Sequence, residues 1–277
     1  MTGANQPYRI GTQIIELPPG HLLPYYQQQH LLYDRFPPFL ASICPKNHWI
    51  LDVGANVGDT TTAMVQNTKG HVLAIEGHPP FFELLERNIH SFPSHMRDRI
   101  QLVKALVGTQ GATGNLVASN GTARLVQGGN SEMHSLDAIL ETEHVAPQSV
   151  AVLKTDTDGS DSDVLLSAPM LLTEGSPVLY FENQFDNDLQ LEQFENMYAA
   201  IGEFGYTLFS VFDNFGNPLL DSAPPYFLSS LNRYLKVQNT RRATRTVYYY
   251  DVLAYKPAQA ALAATLTSRY REFIMNS

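Results

Sequence analysis

Four carboxylates stand where short apolar runs end. Asp52 closes "WIL", Glu76 closes "LAI", Asp156 follows "VLKT" and Glu182 follows "VLYF". Acids at the ends of buried strands gather along one sheet edge, where ligands of open α/β proteins sit. The first opens the loop "DVGANVGDTT", in which Gly54 and Gly58 let the backbone approach a ligand and enter the next helix tightly. A dinucleotide loop would read Gly-x-Gly-x-x-Gly, but those positions hold Gly54, Asn56 and Asp59. A phosphate loop would need Gly-Lys-Ser/Thr, and the stretch has no lysine. Asp59 suits a helix N-terminus but would repel a pyrophosphate there. Glu76, ending the second strand, is placed to accept from both hydroxyls of a ribose.

The ligand these residues describe has a ribose, lacks phosphate and tolerates carboxylates. S-adenosylmethionine, with an ammonium and a sulfonium, meets all three conditions. Two alternatives stay open. A nicotinamide oxidoreductase could share the architecture, although the missing third glycine and Asp59 count against it. A nucleoside-binding module without turnover is the other.

Lys154, Asp156 and Asp158 are spaced by two and fall on one side of an extended chain. They serve either as groups beside the reacting centre or as turn contacts around Gly159. A hydroxyl acceptor gains from a base or metal that lowers its pKa. Asp156 or Asp158, with Glu182 and Asn183, offers carboxylate and amide oxygens that suit a hard ion such as Mg²⁺, a set that resembles the metal ligands of catechol-type O-methyltransferases. Glu182 could equally act as a base without metal. His134 could approach an acceptor or serve as a structural hydrogen-bonder. "NTRRATRTVYYYD" sets Arg241, Arg242 and Arg245 beside three tyrosines. It reads first as a solvated loop leading into an edge strand. If functional, it suits phosphate, carboxylate or sugar faces.

The elements that must position these groups alternate from Trp49 onward. Strands "WILDVG", "HVLAIEG", "IQLVKALVG", "VAVLKTD" and "PVLYFEN" are separated by helical stretches, including "PPFFELLERNIHSF", "SLDAILETEH" and "SDVLLSAPMLLTEG". "GNLVASNGTARLVQ" reads as a hairpin turning at Asn120–Gly121. After the helix "LEQFENMYAAIGEFG" come a hairpin at "NFGN" and a late strand "VYYYDVLAYKP". The expectation is an α/β fold with a doubly wound, mostly parallel sheet and an antiparallel C-terminal edge. Residues 1–46 are rich in Pro, Gln and Tyr and read as a cap or lid. They predict a strand near residues 12–17 and a helix near 27–43 interrupted by Pro37 and Pro38; Tyr25, Tyr26 and Tyr33 could close over a ligand. Residues 47–277 form the main domain.

With 277 residues and a net charge of −9, the chain can bury a large core and lacks the basic field of a nucleic-acid binder. A single cysteine, Cys44, excludes an internal disulfide and fits a reducing compartment. No leader or membrane span is evident, so a cytoplasmic location with a small-molecule acceptor is expected.

The ordered motifs "ILDVGANVGDTT", "AIEGHPPFFELLERNI", "IQLVKALVGTQG", "SLDAIL" and "VLKTDTDGSDSDVLLSAPMLL" resemble the FkbM family of S-adenosylmethionine-dependent methyltransferases. The resemblance implies a Rossmann-like class I methyltransferase. By it, Gly54, Asn56 and Gly58 line the methionine and ribose of the cofactor, with Thr60 and Gly77 alongside. Glu76 takes the ribose, Ala105 and Leu106 flank the adenine, and Asp52 and Asp156 lie near the ammonium. It also implies methylation of a sugar or secondary-metabolite hydroxyl, with an amine as the alternative acceptor.

Overall fold

A computed structural model describes residues 4–119, 121–241 and 243–277. The chain opens with the hairpin β1 (Gln6–Ile10) and β2 (Gln13–Leu17), followed by helices α1 (Leu23–Gln29) and α2 (Pro37–Ala41). Then come β3 (Trp49–Val53), α3 (Asp59–Val65), β4 (His71–Glu76), α4 (Pro79–His90), α5 (Ser94–Arg97) and β5 (Ile100–Lys104). A small sheet follows from β6 (Leu106–Val107), β7 (Thr113–Ser119), β8 (Thr122–Gln127) and β9 (Ser131–His134), then α6 (Leu136–Thr142). The chain continues through β10 (Val150–Thr155), α7 (Asp161–Leu166), β11 (Val178–Asn183), α8 (Asp188–Glu203), β12 (Leu208–Asp213) and β13 (Pro218–Ala223). It closes with α9 (Tyr226–Asn239), β14 (Tyr250–Tyr255) and α10 (Ala260–Met275).

The main sheet has eight strands in the order β13-β12-β14-β11-β10-β3-β4-β5. Strands β11, β10, β3, β4 and β5 run parallel; the inner four carry mostly apolar runs buried on both faces, whereas β5, at the edge, is half-buried. Alternation then divides the core in two. Leu51, Leu153 and Phe181 meet α6, α7, α8 and α9 on one face. Ile50, Val152 and Tyr180 meet α2, α3, α4 and α10 on the other. Chain order reverses between β3 and β10, so the loops leaving these strands diverge and open a crevice at their carboxyl ends.

The antiparallel part lies toward the C-terminal side of the sheet, as expected. Its last strand is not outermost, however: β14 is inserted between β11 and β12, antiparallel to both, and β13 forms the edge. The helix expected near residues 27–43 is replaced by two short helices, each with proline in its first turn, where a missing N–H costs nothing. Likewise "SDVLLSAPMLLTEG" breaks after α7 and resumes as a π-turn over Leu171–Gly175. The turn at Asn120 lies outside the described residues, although β7 and β8 pair as the hairpin expected.

The N-terminal hairpin is tied to the main sheet's helices. The Glu16 N–H donates to Asn88 Oδ1 at 2.9 Å, and the Thr12 N–H to Gln66 Oε1 at 2.7 Å. Leu23, Phe36 and Leu40 share the core of α3, α4 and α10. No helix among the described residues is long and apolar enough to cross a membrane.

Candidate active site

The glycine loop is held by an internal ion pair. Asp52 is fully buried and accepts from Thr60 Oγ1 at 3.0 Å and Thr61 Oγ1 at 2.6 Å. Lys154, its neighbour in register on β10, adds an ammonium at 3.0 Å and reaches Asp156 at 3.6 Å. Burial alone would push the Lys154 ammonium down, but the Asp52 and Asp156 carboxylates reverse this and hold it above the ordinary lysine value. Asp52 is therefore spent on the protein and does not face the crevice, contrary to the placement beside a ligand ammonium. Gly58 is also turned away. It takes φ +92° at the entry to α3, and a Cβ there would lie 2.7 Å from Leu85. Gly54 is the point of closest approach: at φ +77° it leaves no room for a Cβ, which would fall 1.9 Å from the Asp156 carbonyl oxygen.

A narrow cleft of about 60 Å³ lies between the loop and the small sheet, lined by Gly54, Asn56, Glu76, Gly77, Ala105 and Leu106. Leu116, Ala123 and Leu125 of the β7–β8 hairpin wall it from the other side. At its floor Glu76 accepts the Asn56 N–H at 2.8 Å and the His78 N–H at 2.6 Å. Burial pushes the Glu76 carboxyl up to about 7, against the opposing pull of those two N–H groups.

The cleft shares Gly54, Asn56, Asp156 and Asp158 with a wider cavity of about 550 Å³. Thr60, Lys154 and Glu182 face this cavity, as do Asp34 and Asp59. Burial pushes Asp34 and Asp158 up to about 7 and drives Glu182 well above the carboxylate range. Tyr26 and Tyr33 from the N-terminal segment line the cavity; Tyr25 is exposed. Among the described residues, buried polar atoms without a hydrogen-bond partner concentrate here: His21 Nε2, Asn56 Oδ1, Glu182 Oε2, Gln184 Nε2 and Arg245 Nε all belong to cavity residues. Interiors rarely leave such atoms unmatched, so these are the groups free to meet a ligand or water in the cavity.

Three expectations do not survive the geometry. Asn183 cannot join Asp156 and Glu182 around Mg²⁺. Neighbours on a strand point to opposite faces, and its amide bonds Tyr198 Oη at 2.6 Å and Asn232 Oδ1 at 2.8 Å on the far side of the sheet. Asp156 already faces the Lys154 ammonium. No group of three or more His, Cys, Asp or Glu that could hold a metal occurs among the described residues, so the donor set does not fit the ion. His134 lies on β9 beside Val107 and lines neither the cleft nor the cavity. The Arg/Tyr stretch is not simply solvated: Arg245, Tyr248 and Tyr249 line the cavity, whereas Arg241 is exposed and Arg242 lies outside the described residues.

Sequence reasoning missed Asp34, Gln184, Arg124 and Asn214, all cavity residues. Gln184 had a usable signal, because it repeats the alternation of Glu182 beyond the strand end. The others sit on loops and a hairpin arm with no period to read.

This strand order, with the reversal beside a glycine loop and an acid ending the next strand, defines the Rossmann-like class I methyltransferase architecture. The Methyltransferase FkbM domain matches residues 52–208, and the chain belongs to the FkbM methyltransferase family. No curated protein matches it in sequence. Among solved structures it is similar to methyltransferase FkbM from Methylobacillus flagellatus KT, at 17% identity and a TM-score of 0.42, over 56% of this chain and 37% of that one. It thus spans little more than a third of that relative's length. It is also similar to the O-methyltransferase from Bacillus cereus in complex with SAH (13% identity, TM-score 0.49, 87% and 84% of the two chains). A third is M. jannaschii TYW2 in complex with AdoMet (12%, 0.43, 92% and 87%).

Proposed function

We propose that the protein transfers a methyl group from S-adenosylmethionine to a hydroxyl of a small molecule, of the sugar or secondary-metabolite class. The observation that carries this reading is Glu76. Its carboxylate is fixed by two backbone N–H groups at the floor of a cleft walled by Ala105 and Leu106, with lone pairs left for a ribose diol. Asn56 adds an unmatched amide oxygen at the same place. These residues fit an adenosyl group without phosphate. Asp156 and Asp158, where cleft and cavity meet, suit the cationic end.

Bound S-adenosylmethionine supplies the methyl, its carbon–sulfur bond breaking as the acceptor's oxygen–carbon bond forms. The chain's part is positioning, which can account for most of such a rate. In this reading Lys154 fixes Asp52 and Asp156 and so holds the two diverging loops in register. Glu182, with one carboxylate oxygen unmatched in the cavity wall, orients the acceptor hydroxyl and, in the fraction of molecules where burial leaves it ionised, takes its proton. No metal enters the scheme, because the donors do not fit one. Residues 1–46 act as a lid through Tyr26 and Tyr33, and residues 47–277 carry the transferase.

Calorimetry with S-adenosylhomocysteine tests the cofactor assignment. Binding is expected in the native chain and is expected to weaken strongly in Glu76→Ala. No binding, or binding indifferent to that change, overturns it. A matched panel of hydroxyl and amine acceptors, read by release of S-adenosylhomocysteine, tests the acceptor class: turnover confined to amines refutes O-methylation.

A further inference from the structure

The cations of the cavity are not equivalent. Lys154 is neutralised by Asp52 and Asp156. Arg124 pairs with Asp186 and lies 4.0 Å from Asp158. Arg245 has no carboxylate partner among the described residues. Its Nη1 donates to Asn239 Oδ1 at 2.6 Å, its guanidinium lies 4.6 Å from the centre of the Tyr248 ring, and its buried Nε has no partner. A permanently charged, partly buried guanidinium without a counter-charge is costly unless something else supplies one.

The surroundings hold that guanidinium in place. Asn239, which accepts from Arg245, also donates to the Phe185 carbonyl at 2.6 Å. Phe185 directly follows Gln184, whose buried Nε2 is likewise unmatched and belongs to the cavity wall. The Tyr248 N–H is fixed by Asn214 Oδ1 at 3.0 Å, which steadies the ring under the arginine. Among the described residues, two N–H donors without acceptors thus face the cavity, tied to each other through Asn239 and Phe185. Asp156 and Asp158 stand where cleft and cavity meet, whereas Arg245 and Gln184, with Tyr248 and Tyr249, line the cavity alone, as do Asp34, Asp59 and Glu182.

We infer that the methyl acceptor carries an anionic group, a carboxylate or a phosphate, that docks on Arg245 and Gln184 in the part of the cavity not shared with the cofactor cleft. This rests on the methyltransferase reading and extends it to the acceptor's chemistry. The guanidinium offers planar donors that match either anion, and the Tyr248 face behind it restricts its swing. Such an anchor would turn the rest of the acceptor back toward Glu182 and the cleft.

The test uses the full chain saturated with S-adenosylhomocysteine. Benzoate, phenyl phosphate and the uncharged isostere benzamide are titrated, with thermal shift and the arginine Nε–H resonances as readouts. The expectation is that at least one anion binds about tenfold or more tighter than benzamide. That anion should move a single Nε–H resonance, the one missing from Arg245→Lys. Arg245→Gln should abolish the preference, and Gln184→Leu should reduce it, both with S-adenosylhomocysteine affinity unchanged. Preference for benzoate identifies a carboxylate acceptor, and preference for phenyl phosphate a phosphorylated one. Equal binding of all three probes, no binding of either anion, or a preference that persists in Arg245→Gln overturns the inference. Should Arg245→Gln fail to fold, the resonance shift in the native chain and its absence in Arg245→Lys decide the matter. Loss of S-adenosylhomocysteine binding in the native chain would instead defeat the underlying methyltransferase reading.

Discussion

Cofactor affinity should depend on pH through Glu76. Its carboxyl is pushed up to about 7, chiefly by burial. The ribose contact needs the ionised form, since only a carboxylate accepts from both hydroxyls. Competent protein is then about nine-tenths of the total at pH 8, about half at pH 7 and about one-tenth at pH 6. Apparent affinity for S-adenosylhomocysteine should fall about tenfold from pH 8 to pH 6, or about 1.4 kcal/mol. Calorimetry in buffers of different ionisation enthalpy should register release of about half a proton per ligand bound at pH 7. The ligand's own α-amino group, next to an ionised carboxylate, titrates above a peptide N-terminus and acts in the opposite sense where its ammonium is bound. Glu76→Gln retains that contribution and loses the carboxyl, so the difference between the two chains isolates Glu76. The variant should bind more weakly at pH 8 by about 1.5–3 kcal/mol, the range for a hydrogen bond to a charged group, and should lack the fall toward pH 6. Parallel pH profiles for native protein and Glu76→Gln would refute the reasoning.

Lys154→Met strands the fully buried Asp52 carboxylate and should lower unfolding free energy by about 3–5 kcal/mol in urea titration. Adding Asp52→Asn should recover part of the loss. Gly54→Ala should abolish S-adenosylhomocysteine binding, because its Cβ meets the Asp156 carbonyl; Gly111→Ala, also at φ +77° but with open space around it, should cost only about 1–2 kcal/mol of strain and leave binding intact. Burial holds Asp34 and Asp158 up to about 7 and Asp161 up to about 6. These acids bind protons more tightly folded than unfolded, so their contribution is complete below about pH 4 and is lost as pH rises through 6 to 7. The melting temperature of the ligand-free protein should accordingly fall between pH 5 and pH 8 by calorimetry. Asn183→Ala should cost about 1–3 kcal/mol through its lost bonds to Tyr198 and Asn232, with S-adenosylhomocysteine affinity unchanged; weakened binding would put Asn183 back in the site.

The inner parallel strands were legible because burial on both faces forces mostly apolar runs, and because an acid or glycine ends each one. Gly54 and Glu76 of the cleft were legible for the same reason, because they sit at strand ends; Ala105 and Leu106, which also line it, came from the family resemblance. Helices α9 and α10 escaped notice. The first buries only Leu228, Asn232 and Leu235, and the second hides its core face among alanines, with Ala263, Leu266, Thr267 and Tyr270 in helical spacing. Alternation placed Lys154 and Asp156 together but should also have separated Glu182 from Asn183, and the metal set ignored that rule. The cavity wall was the least legible part. Arg245, Gln184 and Asp34 come from three distant loops, and no local period announces that loops converge.

The insertion of β14 between β11 and β12 sets the order in which this protein can be completed. During synthesis β12 and β13 emerge before the strand that joins them to the sheet, so they wait as a detached hairpin while β11 presents a bare edge. When Tyr250–Tyr255 arrives it zips both sides at once, and Tyr248 and Tyr249, just ahead of it, swing in with it. Arg245, Tyr248 and Tyr249 can thus take their places in the cavity wall only as β14 pairs, after every strand that carries the narrow cleft has been made.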